Sequence, residues 1–321
     1  MNIKILAIQN RMGIGDMVIF LPFIEAISKK YNVPISILVK ESSKASEILT
    51  NNKYINNIIF LDRDNKKGSH DGIVGSLKLA KEIGKYKFNK VFIFNSSLRF
   101  NLICKIAGIK EINQYPLFEK KNQHIIFAAQ NFIESKLKIN IKSDPIINLD
   151  NYLVDIAKKK FQFEEKQINI LLGIGGSGPT KRIPSDKFLK FMKIASNEFN
   201  CRFFLATGTD KEEQKILNEV LNSDFKNICI PLDKFKIKEI LPIIKNCKIS
   251  ICNDSSFSHL SAALGIPTIV LISDTPLLYG SYSPRMYPII PDGEKTVTHD
   301  TLGKDKINPD KIFEQFKKLI S

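Results

Sequence analysis

The sequence predicts an α/β protein of two domains. Runs with the length and β-branched content of strands alternate with segments of helical length, which indicates βαβ units and a parallel sheet. The alternation stops over residues 136–167, which are rich in Lys, Asn and Asp, and it starts again at Ile168. A chain of 321 residues is long enough for two domains that each bury a core of their own.

In the first half, the predicted strands are short apolar runs that cover residues 3–9, 35–39, 57–61 and 90–94. An apolar helix is expected to follow the first strand and to continue to Ile27. The segment 62–72 is polar and holds two glycines, which predicts a surface loop.

In the second half, the predicted strands cover residues 168–172, 201–207, 227–231, 248–252 and 268–272. Helices are expected from Ser185, after Gly208 and over residues 236–246, and an amphipathic helix over residues 309–320 ends the chain. Ligands of such folds bind at the carboxyl ends of the strands, so two similar halves place the expected site in a cleft between them.

Residues 253–267, NDSSFSHLSAALGIP, form the stretch with the clearest functional pattern. Asp254 and Ser255 are favoured N-cap residues, and Gly265 is expected to stop the helix that follows. A helix N-terminus after a parallel strand favours anions, because its first amides are free and the helix dipole is positive there. His259 lies one turn into the helix, and its side chain tilts back toward that N-terminus. The stretch therefore predicts a pyrophosphate-binding site.

The loop after the first strand, Gly13-Ile14-Gly15-Asp16, is a second candidate site. Its two glycines predict a tight turn with close backbone approach, but Val18 stands where a dinucleotide-binding fingerprint has its third glycine. A carboxylate at this helix N-terminus would repel a pyrophosphate, so the phosphate is expected elsewhere. Asp16 then has two interpretations, a helix N-cap residue or a catalytic base.

A third candidate is the loop over residues 173–178, which matches G-x-G-x-x-G after a strand. Two prolines delay the next helix, so the loop departs from the usual dinucleotide-binding turn. Thr180, Lys181 and Arg182 follow, and this hydroxyl and two cations are suitable donors to phosphate oxygens and to charge on a leaving group.

Glu212 lies in the first turn of the helix expected after Gly208. A carboxylate there could accept hydrogen bonds from ribose hydroxyls, or it could simply interact favourably with the helix dipole. No His, Asp or Glu cluster has metal-ligand spacing and no G-x-S-x-G motif occurs, which disfavours metal-dependent and serine hydrolysis.

The composition is that of an ordinary soluble protein except for a formal charge of +15. Lysines are spread along the chain, which indicates either a biased coding composition or attraction to an acidic partner such as an anionic lipid surface or a phosphorylated substrate, rather than nucleic-acid binding. The five cysteines form no C-x-x-C pair, which predicts reduced core thiols. Without a signal-peptide pattern or a run near 18 apolar residues, the protein is expected to remain in the cytoplasm.

Taken together, these motifs resemble those of glycosyltransferase family 9, the heptosyltransferase-like enzymes of lipopolysaccharide core assembly. Five elements in matching order carry the resemblance: Met12-Gly13-Ile14-Gly15-Asp16, Phe94-Asn95-Ser96-Ser97-Leu98-Arg99, Lys181-x-x-Pro184, Gly208 with Glu212, and Asp254-Ser255-Ser256-x-Ser258-His259. The departures are Ser256 for the usual Gly, Ile183 for the usual Trp, and a segment over residues 273–276 without the Gly common there.

The resemblance implies a GT-B fold, in which two Rossmann-like domains face each other across a cleft. Residues 1–160 would form an acceptor-binding domain and residues 161–307 a nucleotide-sugar-binding domain, and a helix at 308–321 could pack back on the first domain. An inverting, metal-independent transferase without a cofactor is implied. Its heptose-like sugar would come from a nucleotide diphosphate donor, such as ADP-heptose, and would pass to a lipopolysaccharide-type or other glycan acceptor.

The resemblance also implies roles for individual residues. Asp16 would be the catalytic base, and Lys181 would stabilise the departing nucleotide. The residues implied to bind the donor are Gly175, Ser177, Thr180, Lys181, Glu212, Asp254, Ser255, Ser256 and His259. Those implied to bind the acceptor are Gly13, Gly15, Asn95 and Arg99.

Two other activities stay open at this stage. One is a GT-B nucleotide-sugar epimerase, and the other is a nicotinamide-dependent oxidoreductase that uses residues 173–178. A non-catalytic sugar-nucleotide-binding module is disfavoured by Asp16 in its glycine loop. A glycolipid acceptor would add peripheral contact with an anionic membrane surface, on the inner face of the inner membrane.

Overall fold

A computed structural model describes residues 3–63, 67–116 and 124–321 of the chain. It divides the chain into two compact units, Met1–Pro145 and Ile146–Ser321. Each unit is built around one parallel β-sheet, so the predicted α/β class is confirmed.

Within its described residues, the first unit has five strands: β1 (Ile5–Ile8), β2 (Ile35–Val39), β3 (Ile55–Phe60), β4 (Lys90–Ile93) and β5 (Glu111–Gln114). They form one parallel sheet in the order β3-β2-β1-β4-β5. β1, β2 and β4 are buried at every position, as expected of central strands covered on both faces.

The helices described in this unit are α1 (Ile14–Tyr31), α2 (Ala45–Ile48), α3 (Gly72–Gly84), α4 (Leu98–Ile106) and α5 (Ile125–Leu137). α3 and α4 pack together and share an apolar core with β1 and β4, to which Ile83 and Ile103 contribute. α1 packs with α5. The sheet therefore has an apolar core in which its helices bury their own apolar faces.

The second unit, described in full, has six strands: β6 (Ile168–Gly173), β7 (Cys201–Ala206), β8 (Cys229–Pro231), β9 (Ile249–Asn253), β10 (Thr268–Leu271) and β11 (Met286–Ile289). All are parallel, in the order β11-β10-β9-β6-β7-β8. The first strand of the unit lies at the centre, the next two lie on one side, and the last three lie on the other. This is the Rossmann order, and the first unit repeats it with one strand fewer.

The helices of the second unit are α6 (Asn151–Lys160), α7 (Ser185–Glu198), α8 (Lys211–Leu221), α9 (Ile237–Asn246), α10 (Ser256–Ala263) and α11 (Pro309–Ile320). Gly265, with φ +86°, follows the end of α10, where a left-handed residue commonly ends a helix. The helix stop predicted at this glycine is therefore confirmed.

All of the strands predicted from the sequence are present, with ends within two residues of those expected. Two strands were missed, β5 and β11, and both lie at a sheet edge. β5 has the sequence EINQ and is at most partly buried, and β11 contains Pro288. An edge strand needs little apolar content and tolerates proline, so neither strand has the apolar pattern of a buried one.

The loop predicted over residues 62–72 is partly borne out. Residues 64–66 lie outside the described residues, and the described positions before Gly72 are neither helix nor strand. Gly72 itself, with φ +66°, is the first residue of α3.

The division between the units falls after Pro145, whereas the sequence placed a domain boundary after residue 160. Residues 151–160 form α6, which packs on α9 and so belongs with the second unit. The C-terminal helix α11 packs on α7, with Phe316 buried against Phe191, so its apolar face lies in the core of the second unit.

The five cysteines are free thiols, and four of them are buried. Burial raises the pKa of Cys104 to about 12, because a thiolate would be desolvated there. These thiols therefore stay protonated and contribute apolar packing, as the sequence predicted.

Candidate active site

In the second unit, the strand order reverses between β6 and β9, the point at which a doubly wound sheet opens a crevice for ligands. The loop after β6 runs from Ile174 to Pro184, and the loop after β9 leads from Asp254 into α10. The crevice thus brings together the glycine loop and the stretch that the sequence singled out.

Asp254 joins three loops at this point. Its carboxylate Oδ2 accepts hydrogen bonds from Lys181 Nζ at 2.8 Å and from Thr275 Oγ1 at 2.6 Å. Lys181 comes from the loop after β6 and Thr275 from the loop after β10. Only 5% of Asp254 is exposed, so this ion pair is shielded from water on the carboxylate side.

The pKa of Asp254 lies below its ordinary value. Burial by itself raises this pKa, since it penalises the charged carboxylate. The positive charge of Lys181 and the field of His259 act in the opposite direction, as do the hydrogen bonds from Lys181 and Thr275. These interactions outweigh burial, so Asp254 is an ionised carboxylate held by its partners.

α10 begins beside this carboxylate. Ser255 occupies the N-cap position in an extended conformation, with φ −145° and ψ 174°, and its side chain makes no capping hydrogen bond. Ser255 Oγ is buried and has no hydrogen-bond partner among the described residues. The first amides of a helix have no intrahelical acceptors, so the N-terminus of α10 presents donors for an anion.

His259 is the fourth residue of α10, and it is buried. Its Nδ1 lies 3.0 Å from the hydroxyl oxygen of Tyr282, and the two rings stack with their centroids 5.6 Å apart. Tyr282 was not among the predicted residues. It lies 23 residues along the chain in an irregular segment, and nothing in its local sequence marks it as a partner of His259.

Glu213 holds the glycine loop. Glu213 Oε1 accepts a hydrogen bond from the Gly176 amide at 2.7 Å. A Cβ atom on Gly175 would lie 2.5 Å from the same oxygen, so a side chain at that position would clash with Glu213. Glu212 is exposed, and its amide is capped by Asp210 at 3.0 Å.

Arg182 holds the same glycine of this loop through its carbonyl group. Its Nε donates to the Gly176 carbonyl at 2.8 Å, and its guanidinium lies 3.1 Å from an Asp210 carboxylate oxygen. The Thr180 carbonyl accepts a hydrogen bond from Ser273 Oγ at 2.8 Å. Ser177 is exposed on the same loop. The backbone of the loop is thus tied down while the Ser177 side chain remains accessible.

In the first unit, Asp16 is the third residue of α1 and is not its N-cap, which is Gly13. Asp16 Oδ2 accepts a hydrogen bond from the Gly13 amide at 3.2 Å, and Oδ1 lies 3.6 Å from an Arg11 guanidinium nitrogen. Gly15 is the second residue of the helix, and Gly13 has φ −81°, so the turn needs no left-handed residue. Asp16 is partly exposed and so remains available to a substrate.

A cavity of about 750 Å³ opens in the first unit, at the carboxyl ends of β1, β4 and β5. Its residues combine amides, hydroxyls and two cations with an aromatic floor: Asn10, Arg11, Phe20, Phe94, Asn95, Ser96, Gln114, Tyr115, Pro116, Ile125, Ala128, Asn131, Phe132, Ser135 and Lys136. The strand order also reverses between β1 and β4, so the cavity occupies the switch point of this sheet.

Asn95 and Arg99, which were both predicted to bind the acceptor, have different surroundings in the structure. Asn95 lines the cavity, and its side chain bonds Asn10 Oδ1 at 3.2 Å. Arg99 does not line it; its guanidinium donates to the backbone carbonyls of His70 and Gly72, at 3.2 Å for Gly72. Arg99 therefore fastens the segment that leads into α3.

Among residues 3–63, 67–116 and 124–321, no three His, Cys, Asp or Glu side chains come together in a way that could hold a metal ion.

Two Rossmann-like units in one chain, each with polar groups at its switch point, define the GT-B class of enzymes. A profile of glycosyltransferase family 9 (heptosyltransferase) matches residues 77–300. The chain belongs to this family, and it is a glycosyltransferase.

Individual proteins are similar to the chain in sequence or in fold. The chain is 26% identical to lipopolysaccharide heptosyltransferase 1 of Campylobacter coli, over 93% of this chain and 92% of that protein. A family 9 glycosyltransferase of Veillonella parvula superposes with a TM-score of 0.79 at 19% identity, covering 99% of this chain and 97% of the other. The Escherichia coli ADP-heptose lipopolysaccharide heptosyltransferase II superposes with a TM-score of 0.74 at 17% identity, covering 99% and 98%.

The epimerase alternative has weaker structural support. A UDP-GlcNAc 2-epimerase of Neisseria meningitidis superposes with a TM-score of 0.54 at 12% identity, covering 99% of this chain and 91% of that one. The shared GT-B fold accounts for this likeness. Family membership separates the chain from the epimerase and from a nicotinamide-dependent oxidoreductase.

The ion pair at Asp254 predicts a pH-dependent stability. The pKa of Asp254 is lower in the folded protein than the value of about 3.9 expected when unfolded, so its ionised form stabilises the fold above that pH. This contribution is lost as the pH falls through the lower folded pKa. Urea unfolding between pH 6 and pH 2 should therefore show a steeper loss of unfolding free energy at the acid end for the wild type than for Asp254→Asn.

Asp186→Asn is the matched control, because Asp186 is an exposed carboxylate in the first turn of α7. This variant should keep the pH profile of the wild type. If the unfolding free energy of Asp254→Asn varied with pH as it does in the wild type, the ion pair would not be the cause of the loss of stability in acid.

Proposed function

We propose that the protein transfers a heptose-like sugar from a nucleoside diphosphate donor to a lipopolysaccharide-type or other glycan acceptor, with inversion at the anomeric carbon. The observation that carries this proposal is the Lys181–Asp254 pair beside the N-terminus of α10, at the switch point of the second sheet. The similarity to a lipopolysaccharide heptosyltransferase and to an ADP-heptose heptosyltransferase supports a heptose donor.

The donor diphosphate is proposed to bind at α10. The amides of Ser255 and Ser256 would donate to its oxygens, and Lys181 would contribute a cation. Asp254 carries a negative charge nearby, but its oxygen is already bonded to Lys181 and Thr275, so its repulsion of the diphosphate is reduced.

His259 is proposed to contact the donor from the first turn of α10. Its hydrogen bond with Tyr282 fixes the imidazole ring, so the other ring nitrogen has a set direction. Tyr282 would then act as a positioning residue for His259. Gly175, Ser177 and Thr180 complete the proposed donor contacts through the loop that Arg182 and Glu213 hold in place.

The acceptor is proposed to bind in the cavity of the first unit, with Asn95 among its contacts and Asp16 as the base. Asp16 would take the proton of the attacking hydroxyl as that oxygen forms its bond to the anomeric carbon and the bond to the nucleoside diphosphate breaks. Arg99 is bound to backbone carbonyls, so we assign it a structural role instead of a contact with the acceptor.

Charge developing on the departing diphosphate is proposed to be stabilised by Lys181 and the helix N-terminus, which makes the reaction independent of a metal and of a cofactor. Preorganised donors of this kind act without rearranging during the reaction. Support comes from the loop after β6, whose backbone and side-chain hydrogen bonds hold Lys181 beside α10.

None of the helices in the described part of the chain is both long and apolar enough to span a bilayer. A glycolipid acceptor would nevertheless be reached at a membrane surface. We therefore propose that the protein is located in the cytoplasm and makes peripheral contact with the inner face of the inner membrane.

A thermal-shift panel tests the donor class. A ligand that binds only the folded state raises the apparent melting temperature as its concentration increases. ADP and ADP-sugars should stabilise the protein more than UDP, GDP or their sugars. Equal or larger shifts with UDP would contradict an ADP-heptose-like donor. Incubation with the donor alone would then test for epimerase activity, because an epimerase needs no acceptor.

Glu213 and Glu212 offer a matched pair for the glycine loop. Glu213→Gln weakens the acceptor of the Gly176 amide, so we expect ADP binding to weaken by about tenfold, the effect of losing part of one charged hydrogen bond. Glu212→Gln changes an exposed carboxylate and should leave the ADP dissociation constant unaltered. Titration calorimetry of both variants measures the difference, and a larger effect at Glu212 would contradict this prediction and favour the ribose contact expected of Glu212 from the sequence.

Asp16→Asn tests the base. The amide oxygen of Asn can still accept the hydrogen bond from Gly13, so the helix should keep its capping contact while the base is lost. We expect transfer to fall by about 10²–10⁴-fold with ADP binding unchanged. Asp150→Asn, at the N-cap of α6, is the control and should transfer normally. Undiminished transfer by Asp16→Asn would remove Asp16 from the base role.

A further inference from the structure

Two neighbouring helices of the first unit expose an unusual number of apolar side chains. Ile73 and Val74 in the first turn of α3 are 82% and 80% exposed, and Ile106 at the end of α4 is 60% exposed. We call the set the α3–α4 face; its members are Ile73, Val74, Leu77, Leu98, Leu102 and Ile106.

The exposed side chains of the two helices lie on one side of the unit. α3 and α4 pack against each other, and both bury their opposite faces in the same core beneath β1 and β4. On α4, Leu98, Leu102 and Ile106 recur every four residues, which places them in one stripe along the helix. The α3–α4 face is therefore continuous across two helices rather than a scatter of single residues.

This surface is also strongly basic. Residues 67–110 contain nine Lys and Arg against two Asp and Glu. Lys90 is buried in an ion pair with Glu111 and Arg99 binds backbone carbonyls, which leaves seven exposed lysines. The two acidic residues are engaged, since Asp71 pairs with Arg63 at 3.1 Å and Glu82 lies 3.0 Å from His70. Five of the exposed lysines lie on the two helices or just after their C-terminal ends, at positions 78, 81, 85, 105 and 110.

We propose that the α3–α4 face docks the protein on an anionic lipid bilayer. Apolar side chains on the outer side of surface helices can enter the boundary between headgroups and acyl chains, while neighbouring lysines bind lipid phosphates. The inference deepens the proposed function and rests on it in one respect, because a glycolipid acceptor resides at such a surface.

The charge of the face disfavours a second copy of the chain as its occupant. In a two-fold symmetric dimer each face would meet its own copy, so its lysines would oppose one another. An anionic bilayer supplies the opposite charge together with an apolar layer beneath it. The same physical features that disfavour self-association thus favour a lipid surface.

The experiment is sedimentation with vesicles of phosphatidylcholine, with or without about a quarter of phosphatidylglycerol. The wild-type protein should bind the anionic vesicles and dissociate from them as the salt concentration is raised. It should not bind vesicles of pure phosphatidylcholine. Lys81→Glu/Lys105→Glu should weaken binding by about 25-fold or more, at about fivefold for each lysine. Val74→Ser/Ile106→Ser should weaken it by about tenfold, because two exposed apolar side chains no longer enter the lipid.

Matched variants in the second unit are the controls. Lys193→Glu/Lys215→Glu reverses two exposed lysines of α7 and α8, and Ile156→Ser/Leu302→Ser removes two exposed apolar side chains. The proposal predicts a smaller loss of vesicle binding in each control than in its α3–α4 counterpart. All variants change exposed side chains, so their melting temperatures should match the wild type and exclude misfolding as the cause.

Four outcomes would overturn the docking surface: no binding of the wild type to anionic vesicles, wild-type binding by the α3–α4 variants, an equal loss in the controls, or a dimer that dissociates in the variants while vesicle binding persists. Sugar transfer to an acceptor dispersed in detergent separates this result from the proposed function. The α3–α4 variants should transfer normally there, whereas absence of transfer by the wild type would count against the transferase activity alone.

Discussion

The ion pair between Lys181 and Asp254 is the interaction on which the candidate donor site depends. An ionised carboxylate can be buried only when charged and hydrogen-bonding partners replace its water. Asp254 obtains them from the loops after β6 and β10, so three loops must come together for the carboxylate to be stable. Removing one partner of a buried pair costs about 3–5 kcal/mol in other proteins, which indicates how firmly such a contact holds the loops. The same contact keeps a cation beside the N-terminus of α10.

The two sheets place their polar groups according to one rule. In each, the strand order reverses beside the first strand of the unit, and the loops on either side of the reversal carry the candidate residues. The second unit presents a helix N-terminus and a cation there, which suits a diphosphate. The first unit presents a roomy cavity with amides and an aromatic floor, which suits a larger and less charged ligand such as a glycan. One topology thus builds two candidate sites of different chemistry.

Several side chains hold other candidate residues in place. Glu213 and Arg182 anchor the glycine loop at Gly176, through its amide and its carbonyl; Tyr282 orients His259, and Asp16 completes the N-terminus of its own helix. Capping and catalysis are compatible at Asp16, because a hydrogen bond from a backbone amide leaves other lone pairs of the carboxylate available. A positioned carboxylate also avoids the loss of side-chain freedom that a mobile one would incur on binding substrate.

The sequence by itself determined the α/β class, the central strands, the helix that follows Asn253 and the family, because apolar runs, helix stops and glycine loops are local signals. Only the tertiary structure decided the rest. β5 and β11 are edge strands whose pairing does not require an apolar pattern. Glu213 reaches the Gly176 amide because of the direction in which the first turn of α8 points its side chain, and Tyr282 and Thr275 reach their partners across more than twenty residues of chain. Such contacts depend on where loops meet in space, which no local stretch of sequence encodes.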